Sequence, residues 1–434
     1  MKIEFVSLWK KDGDNQRINT NFSFPIQKGR IMNLTAENLK RSIRNDIPNL
    51  DEIWKHLNSE IEKRIDEIEA QKKEGISPIP IIEFEDVQNS SNSIDRDRIK
   101  KAGCIIIKNV FPQRMAEDWN TELKDYLKRN DYLGQKVDAE DTYFGSLKNS
   151  KPQVYGIYWS KPQIEARQHE NMFKVQCFLN GFWNDHGKFS TDKILSYADR
   201  IRMREPQDTS FGLSPHLDSG SVERWLEPNY RNTYNAILKG KWEDYDPFDL
   251  SSRLEVEFIP SPAICRVFRS FQGWTALTAQ GEGDGTLQVI PMLKEATTYL
   301  MLRPFMDDVP YEDWCGSLAK KAFNVSKEWH EPLIRGLCSI PKLQPGDTVW
   351  WHPDLIHSVE KKHEGKEYSN VMFVGATPYC EKNKKYIEIQ KGNFLDGRSA
   401  PDFAAEDREV NYKNRATFDD LTELGKEAMG FLDY

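Results

Sequence analysis

Residues 345–360 read "PGDTVWWHPDLIHSVE", and two chain-folding signals meet there. "TVWW" is a compact apolar run suited to a buried strand, Pro353 cannot donate to a sheet ladder, and "IHSV" resumes the β pattern. Two strands broken by a turn are predicted. His352 and His357 lie five positions apart, an odd step that sends them to opposite faces of any single straight strand. With the turn between them, His357 opens the second strand and is the better ligand candidate, while His352 ends the first as a structural group.

The same texture recurs from Ile201 onward in "SFGLSPHLD", "AICRVFRSFQGWTALTA", "GTLQVIPM" and "NVMFVGATPY". Short runs rich in Val, Ile, Phe and Trp, punctuated by Gly, Pro and Asp, predict antiparallel strands of a sandwich or barrel. "GCIIIKNVF" (103–111) predicts a buried strand, followed after Pro112 by a helix with Met115, Trp119, Leu123 and Leu127 on one face. Ahead of it, Ile53, Leu57, Ile61, Ile65 and Ile68 recur at helical spacing between a candidate N-cap at Asn49 and a stop at Gly75. Residues 1–34 carry no pattern. The insertion 223–253, dense in Trp and Tyr, reads either as a lid or as an ordinary packed excursion.

Composition excludes several classes. Lys and Arg number 60 against 68 Asp and Glu in 434 residues, and the net charge of −8 disfavours attraction to nucleic-acid phosphates or anionic lipid. A small-molecule partner is expected. The six cysteines are scattered without a C-x-x-C pair, which argues against a zinc knuckle or a disulfide framework and for reduced thiols in a cytoplasmic setting. The apolar run in "MKIEFVSLWKKDGDN" is too short for a signal peptide, and no run is long enough to span a bilayer. "GEGDGT" (281–286) leads into a strand instead of a helix, so it reads as a tight turn and not a phosphate loop. No G-x-S-x-G elbow is present.

In "FGLSPHLDSGSVERW" (211–225), His216 and Asp218 stand two apart, so both project from one face if the segment is a strand. H-x-D alone is equally well a histidine hydrogen-bonded to a neighbouring carboxylate. A third donor from a distant strand changes that balance, and His357 is the candidate. Two neutral imidazoles, one carboxylate and open positions suit non-haem Fe(II), with zinc as the chemical rival. There is no H-E-x-x-H helix to favour zinc hydrolysis.

"HLD", "GWTAL", "DGTLQVIP" and "PGDTVWWHPDLIHS" follow in the order and approximate spacing of the Fe(II)/2-oxoglutarate oxygenases, and the chain resembles their phytanoyl-CoA dioxygenase-like, clavaminate synthase-like branch. "GCIIIKNVFPQRMAEDW" resembles that branch's entry strand and helix. "YWSKPQIEAR", "FRSFQGWTAL", "WEDYDPFD" and "GRSAPDF" are similar to motifs of a family of bacterial and fungal non-haem iron dioxygenase-like proteins of unknown function; the likeness runs from about residue 80 to about residue 405. The resemblance implies an α+β, mainly β protein: a double-stranded β-helix (jelly roll, cupin-like) at 101–380, a helical N-terminal extension at 1–100 and a C-terminal extension at 381–434. It further implies Fe(II) on His216, Asp218 and His357, 2-oxoglutarate as co-substrate, O2, and hydroxylation of a small molecule. A metal-binding or small-acid-binding β-helix protein without turnover is the alternative, and a zinc hydrolase the third.

The resembled enzymes carry an arginine for the far carboxylate of 2-oxoglutarate on the strand after the distal histidine; this chain reads "YSNVMFV" there, with Asn370 in place of a cation. Arg269 is the first substitute, near Gln272 and the co-substrate-type Trp274, although strand alternation sets Arg269 on the opposite face from both. Arg204 and Arg398 are the other candidates. Trp159, Ser160, Gln163 and Arg167 are assigned to the substrate side from motif content.

Overall fold

The computed structural model describes residues 21–25, 31–134, 153–208, 212–218, 220–250, 252–256, 266–318 and 321–434. The unpatterned N-terminus contains a hairpin, with β1 (Asn21–Pro25) antiparallel to β2 (Ile31–Thr35); residues 1–20 and 26–30 lie outside the described residues. Helix Leu50–Lys73 follows, burying Leu57, Ile61, Ile65 and Ile68 on one stripe as the spacing predicts. Asn49 occupies its N-cap position in the left-handed region at φ 51° without a side-chain cap bond, so it turns the chain and does not satisfy the helix end.

Two larger sheets form the centre. One runs β3 (Ile81–Glu83), β4 (Cys104–Lys108), β13 (Thr348–Trp351), β9 (Phe271–Ala276), β15 (Ser369–Ala376), β7 (Ile201–Arg204), β5 (Val154–Tyr155), and only its β3–β4 pair is parallel. The other runs β11 (Phe323–Asn324), β8 (His216–Leu217), β14 (His357–Val359), β10 (Leu287–Val289), β12 (Cys338–Ser339). From β7 to β15 the chain passes repeatedly from one sheet to the other, so most strand neighbours are distant in sequence. A small pair of β6 (Ser190–Ile194) and β16 (Pro378–Tyr379) lies outside both. Helix accounts for 43% of the structure, which corrects the expectation of a mainly β protein to a mixed one. The strands are short, and helices cover the faces they leave.

Register fixes which side chains face which layer. Trp274 pairs with Val349 and Phe373, Gln272 with Trp351 and Gly375, Val371 with Arg202, and Ser369 with Arg204. Alternation places all of these on one face of the large sheet. That face is turned toward the second sheet, because Arg204 reaches the carbonyls of Gly285 and Glu360 beside β10 and β14. The opposite face meets helices Gln113–Arg129 and Glu170–Asn180, whose Trp119, Leu123, Val175 and Leu179 join its core. There Gly273 is required: a Cβ would meet the Trp350 ring at 2.5 Å.

A second core forms around helix Leu50–Lys73, helix Leu293–Leu302 and the insertion; Trp225, Tyr234 and Ile237 are fully buried in it and Trp54 packs on Tyr299 in a tilted arrangement with centroids 4.6 Å apart. Of the two readings of the insertion, the packed excursion describes its tryptophans and tyrosines.

His330 is buried beside the rings of Tyr299 and Phe323 in this core, where its Nδ1 accepts a hydrogen bond from the Ser326 amide. Burial, reinforced by Arg303, lowers its pKa to about 3. The folded state therefore keeps the ring neutral while the unfolded chain takes up a proton below about pH 6.5, so this group costs stability as pH falls from there toward 3. Replacing His330 with Asn should shrink the loss of unfolding free energy between pH 7 and pH 5 by about 2 kcal/mol. Urea titrations at both pH values measure it, and an unchanged difference refutes the assignment.

Candidate metal centre

β8 contributes only two residues, yet it is paired on both sides. Asn324 of β11 lies opposite His216 on one edge, and His357 of β14 lies opposite it on the other. The two imidazoles are thus direct cross-strand neighbours, with ring centroids 4.3 Å apart. Asp218 sits just past the end of β8, and its carboxylate oxygens lie 3.6 Å from Nε2 of His216 and 3.6 Å from Nε2 of His357. One donor atom from each of the three residues lies within 4.8 Å of the others.

Both rings are aimed by the backbone. His216 Nδ1 donates to the Ser214 carbonyl at 2.7 Å, and His357 Nδ1 donates to the Leu355 carbonyl at 3.0 Å. Holding the proton on Nδ1 leaves each Nε2 lone pair facing the gap, the arrangement a histidine ligand needs. Burial first, and His357 second, lower the His216 pKa to about 4. Burial pushes the Asp218 carboxyl up, but its polar surroundings, His357 first and then His216 and Arg269, outweigh it and hold the group well below the usual carboxylate range. The donor set is two neutral nitrogens and one carboxylate, with Asp218 the least buried of the three.

The predicted residues divide sharply. Arg269 precedes β9 by two residues, so strand alternation does not govern it; its side chain crosses Gly375, where a Cβ would meet Arg269 Cδ at 2.8 Å, its guanidinium lies 5.4 Å from the Tyr197 ring centre, and its charge acts on Asp218. Gln272 and Trp274 share the inner face of the large sheet, and Gln272 Nε2 is buried without a hydrogen-bond partner among the described residues. Asn370 is on the outer face, donating through Nδ2 to Asn120 Oδ1 at 2.9 Å, so the expectation that it holds the arginine's place is corrected by strand parity. Arg204 faces inward but is fully engaged, donating to Asp208, to the carbonyls of Gly285 and Glu360 and to that of Lys361. Arg398 pairs with Asp396 at the surface.

Trp159, Ser160, Gln163 and Arg167 do not join the cluster. Ser160 caps helix Lys161–Arg167, Gln163 donates to the carbonyls of Ile157 and Asp199, Trp159 donates to the Arg398 carbonyl, and Arg167 to that of Tyr158. The buried Glu409 carboxylate accepts from the Tyr126 hydroxyl at 2.8 Å and from the Tyr158 and Trp159 amides. These residues therefore seat the C-terminal segment. His352 is structural as predicted, with Nε2 toward the Pro247 carbonyl at 3.0 Å and Nδ1 accepting from the Asp354 amide at 3.0 Å.

Sequence reasoning passed over Arg202. It shares the inner face with Arg204, is 6% exposed, and makes no hydrogen bond or ion pair among the described residues. Burial, then the neighbouring Arg204, lower its pKa to about 10. Trp351 Nε1, on the same face, is also buried without a partner there, and its ring lies 5.3 Å from that of His357. The signal was available in "IRMR", where two arginines two apart on a buried strand must face the same way.

The protein is 41% identical over 399 residues to the uncharacterized protein YbiU of Escherichia coli K12, covering 90% of this chain and 94% of that one. Among solved structures it is similar to a protein of Salmonella typhimurium LT2 named a putative oxidoreductase, with a TM-score of 0.86 and 39% identity over 91% of this chain and 96% of the other. It is also similar to the GlcNAc Inducible Gene 2 product of Candida albicans, with a TM-score of 0.77 and 30% identity over 92% and 89% of the two chains. With the Gig2-like family model matching residues 31–431, the chain belongs to the Gig2-like family.

Proposed function

We propose that the protein is a non-haem Fe(II)- and 2-oxoglutarate-dependent oxygenase that hydroxylates a small molecule, with the strands from β7 to β15 forming a double-stranded β-helix. The observation that carries this reading is the pair formed by a His216–Asp218–His357 donor set and an inner sheet face with three buried donor atoms, Arg202 Nε, Gln272 Nε2 and Trp351 Nε1, that lack acceptors among the described residues. The donor set fits iron, since two imidazoles and one carboxylate leave positions open for further ligands. The orphaned donors fit an oxygen-rich anion, since each is costly to bury unless a bound ligand supplies its acceptor.

Bound iron would supply activation of O2, with 2-oxoglutarate as the two-electron reductant leaving as succinate and CO2. The chain's own residues prepare that chemistry. The Ser214 and Leu355 carbonyls keep both imidazoles in the ligating tautomer, and His357, then His216 and Arg269, favour the ionised form of Asp218. Trp274 and Phe373 line the inner face with apolar surface that excludes water. Arg202 takes the role for which Asn370 is wrongly oriented. It stands on the strand next to β15, directly opposite Val371, and offers a guanidinium to the far carboxylate.

Titrating Fe(II) into the full chain should show one tight site that is lost in His357→Ala and in Asp218→Ala with far-UV circular dichroism unchanged; iron affinity retained in both variants removes the centre. Anaerobic addition of 2-oxoglutarate to the iron-loaded protein should then produce a weak visible charge-transfer band, and iron binding without that band favours the non-catalytic binder. Arg202→Met should weaken 2-oxoglutarate by roughly 10- to 150-fold at unchanged iron affinity, the equivalent of a charge-assisted hydrogen bond of about 1.5–3 kcal/mol. Asn370→Ala should leave that affinity as it is, and the reverse pattern would return the role to Asn370.

A further inference from the structure

A buried network joins the insertion to both ligand-bearing loops. Asp354, in the turn between β13 and β14, accepts from Arg224 Nη1 at 2.6 Å and from the Tyr234 hydroxyl at 3.0 Å on Oδ1, and from Arg253 Nη2 at 2.8 Å on Oδ2. Arg224, Tyr234 and Arg253 all come from the insertion. Arg253 also donates to the Pro247 carbonyl at 3.1 Å, the same oxygen that His352 contacts. From the other side of its guanidinium, Arg224 Nη2 donates to the main-chain carbonyl of Asp218 at 2.9 Å.

We infer that Arg224 is a positioning residue for the candidate metal centre, tying the peptide of Asp218 to the turn that precedes His357 through Asp354. The inference rests on the metal-centre reading above. Two routes converge on the ligands. Asp354 fixes the 352–355 turn, whose Leu355 carbonyl holds His357 Nδ1, while Arg224 fixes the carbonyl of Asp218 and hence the direction in which its side chain leaves the backbone. A guanidinium suits the task because its planar fork grips a carboxylate and a carbonyl at once in a set geometry, which an ammonium on a flexible stem cannot do. Stability alone does not explain the network, since buried ion pairs are commonly replaceable by apolar groups of similar volume without loss. The orientation of two ligands relative to each other is what an apolar replacement would give up.

Co(II) is the probe, titrated into the full-length wild type and the Arg224→Lys and Tyr234→Phe variants. Its visible d–d band reports coordination geometry, and far-UV circular dichroism and Tm report the fold. Arg224→Lys should weaken Co(II) by roughly ten- to a hundredfold, the range for groups that orient metal ligands, and should change the shape of the band while circular dichroism stays the same. Tyr234→Phe, which keeps every charge and removes the hydroxyl that accepts from Arg224 Nη1 and donates to Asp354, should shift the band in the same direction by a smaller amount. Wild-type affinity and band shape in Arg224→Lys, with only Tm lowered, overturn the inference. Should Arg224→Lys fail to fold, an unaltered band in Tyr234→Phe overturns it. A wild type that binds no Co(II) refutes the metal-centre reading itself, and the inference with it.

Discussion

His216 faces His357 directly across an antiparallel ladder, and a slip of one residue in either strand would turn one imidazole out of the gap between the sheets. Much of the surrounding structure protects that register. β11 closes the far edge of β8, β10 closes the far edge of β14, and backbone carbonyls two residues before each histidine take its Nδ1 proton. The repetition of this last contact at both histidines means that the local chain path, and not a variable side chain, sets the ring orientation. Asp218 is then the ligand most in need of outside support, because it lies beyond the last paired residue of β8.

The buried cations have different tasks. Arg204 is consumed by main-chain carbonyls and Asp208, and so fastens the end of β7 to the loops at the ends of β10 and β14. Arg224 and Arg253 converge on one carboxylate. Arg202 alone among these four makes no hydrogen bond or ion pair among the described residues, and its buried Nε has no acceptor there. The Nε atoms of Arg224 and Arg253 are likewise without acceptors, but their terminal nitrogens are held by Asp354.

The sequence made the candidate ligands legible because metal chemistry requires particular residue types at particular places. H-x-D and the two-strand reading of "TVWWHPDLIHSV" named His216, Asp218 and His357, and the turn at Pro353 separated His357 from His352. The helical stripe from Leu57 to Ile68 was equally clear, since 3.6-residue periodicity survives without tertiary context. The polar partners were not legible in this way. Asn370 was assigned by spacing from His357, but the loop between β14 and β15 sets the parity of the next strand, and spacing does not reveal its path. Trp159, Gln163 and Arg167 looked like binding residues because they are polar, aromatic and clustered, and the same properties serve structure: Trp159 bonds the C-terminal segment at Arg398, while Gln163 and Arg167 hold the main chain at Ile157 and Tyr158. Glu409 could not be paired with the Tyr158 and Trp159 amides until the fold brought them together.

The repeated passage of the chain between the two sheets also bears on how the centre comes into being. His216 and His357 meet only when β8 and β14 pair, and β9 to β13 separate those two strands along the chain. Long-range pairings of this kind form slowly, because the entropy of closing large loops is lost before the contacts that offset it exist. The donor atoms are therefore among the last groups to be assembled. A metal ion cannot nucleate this fold as it does a zinc finger, whose ligands are close in sequence. At the proposed centre loading would therefore follow folding, and the finished protein, not the nascent chain, would select the metal.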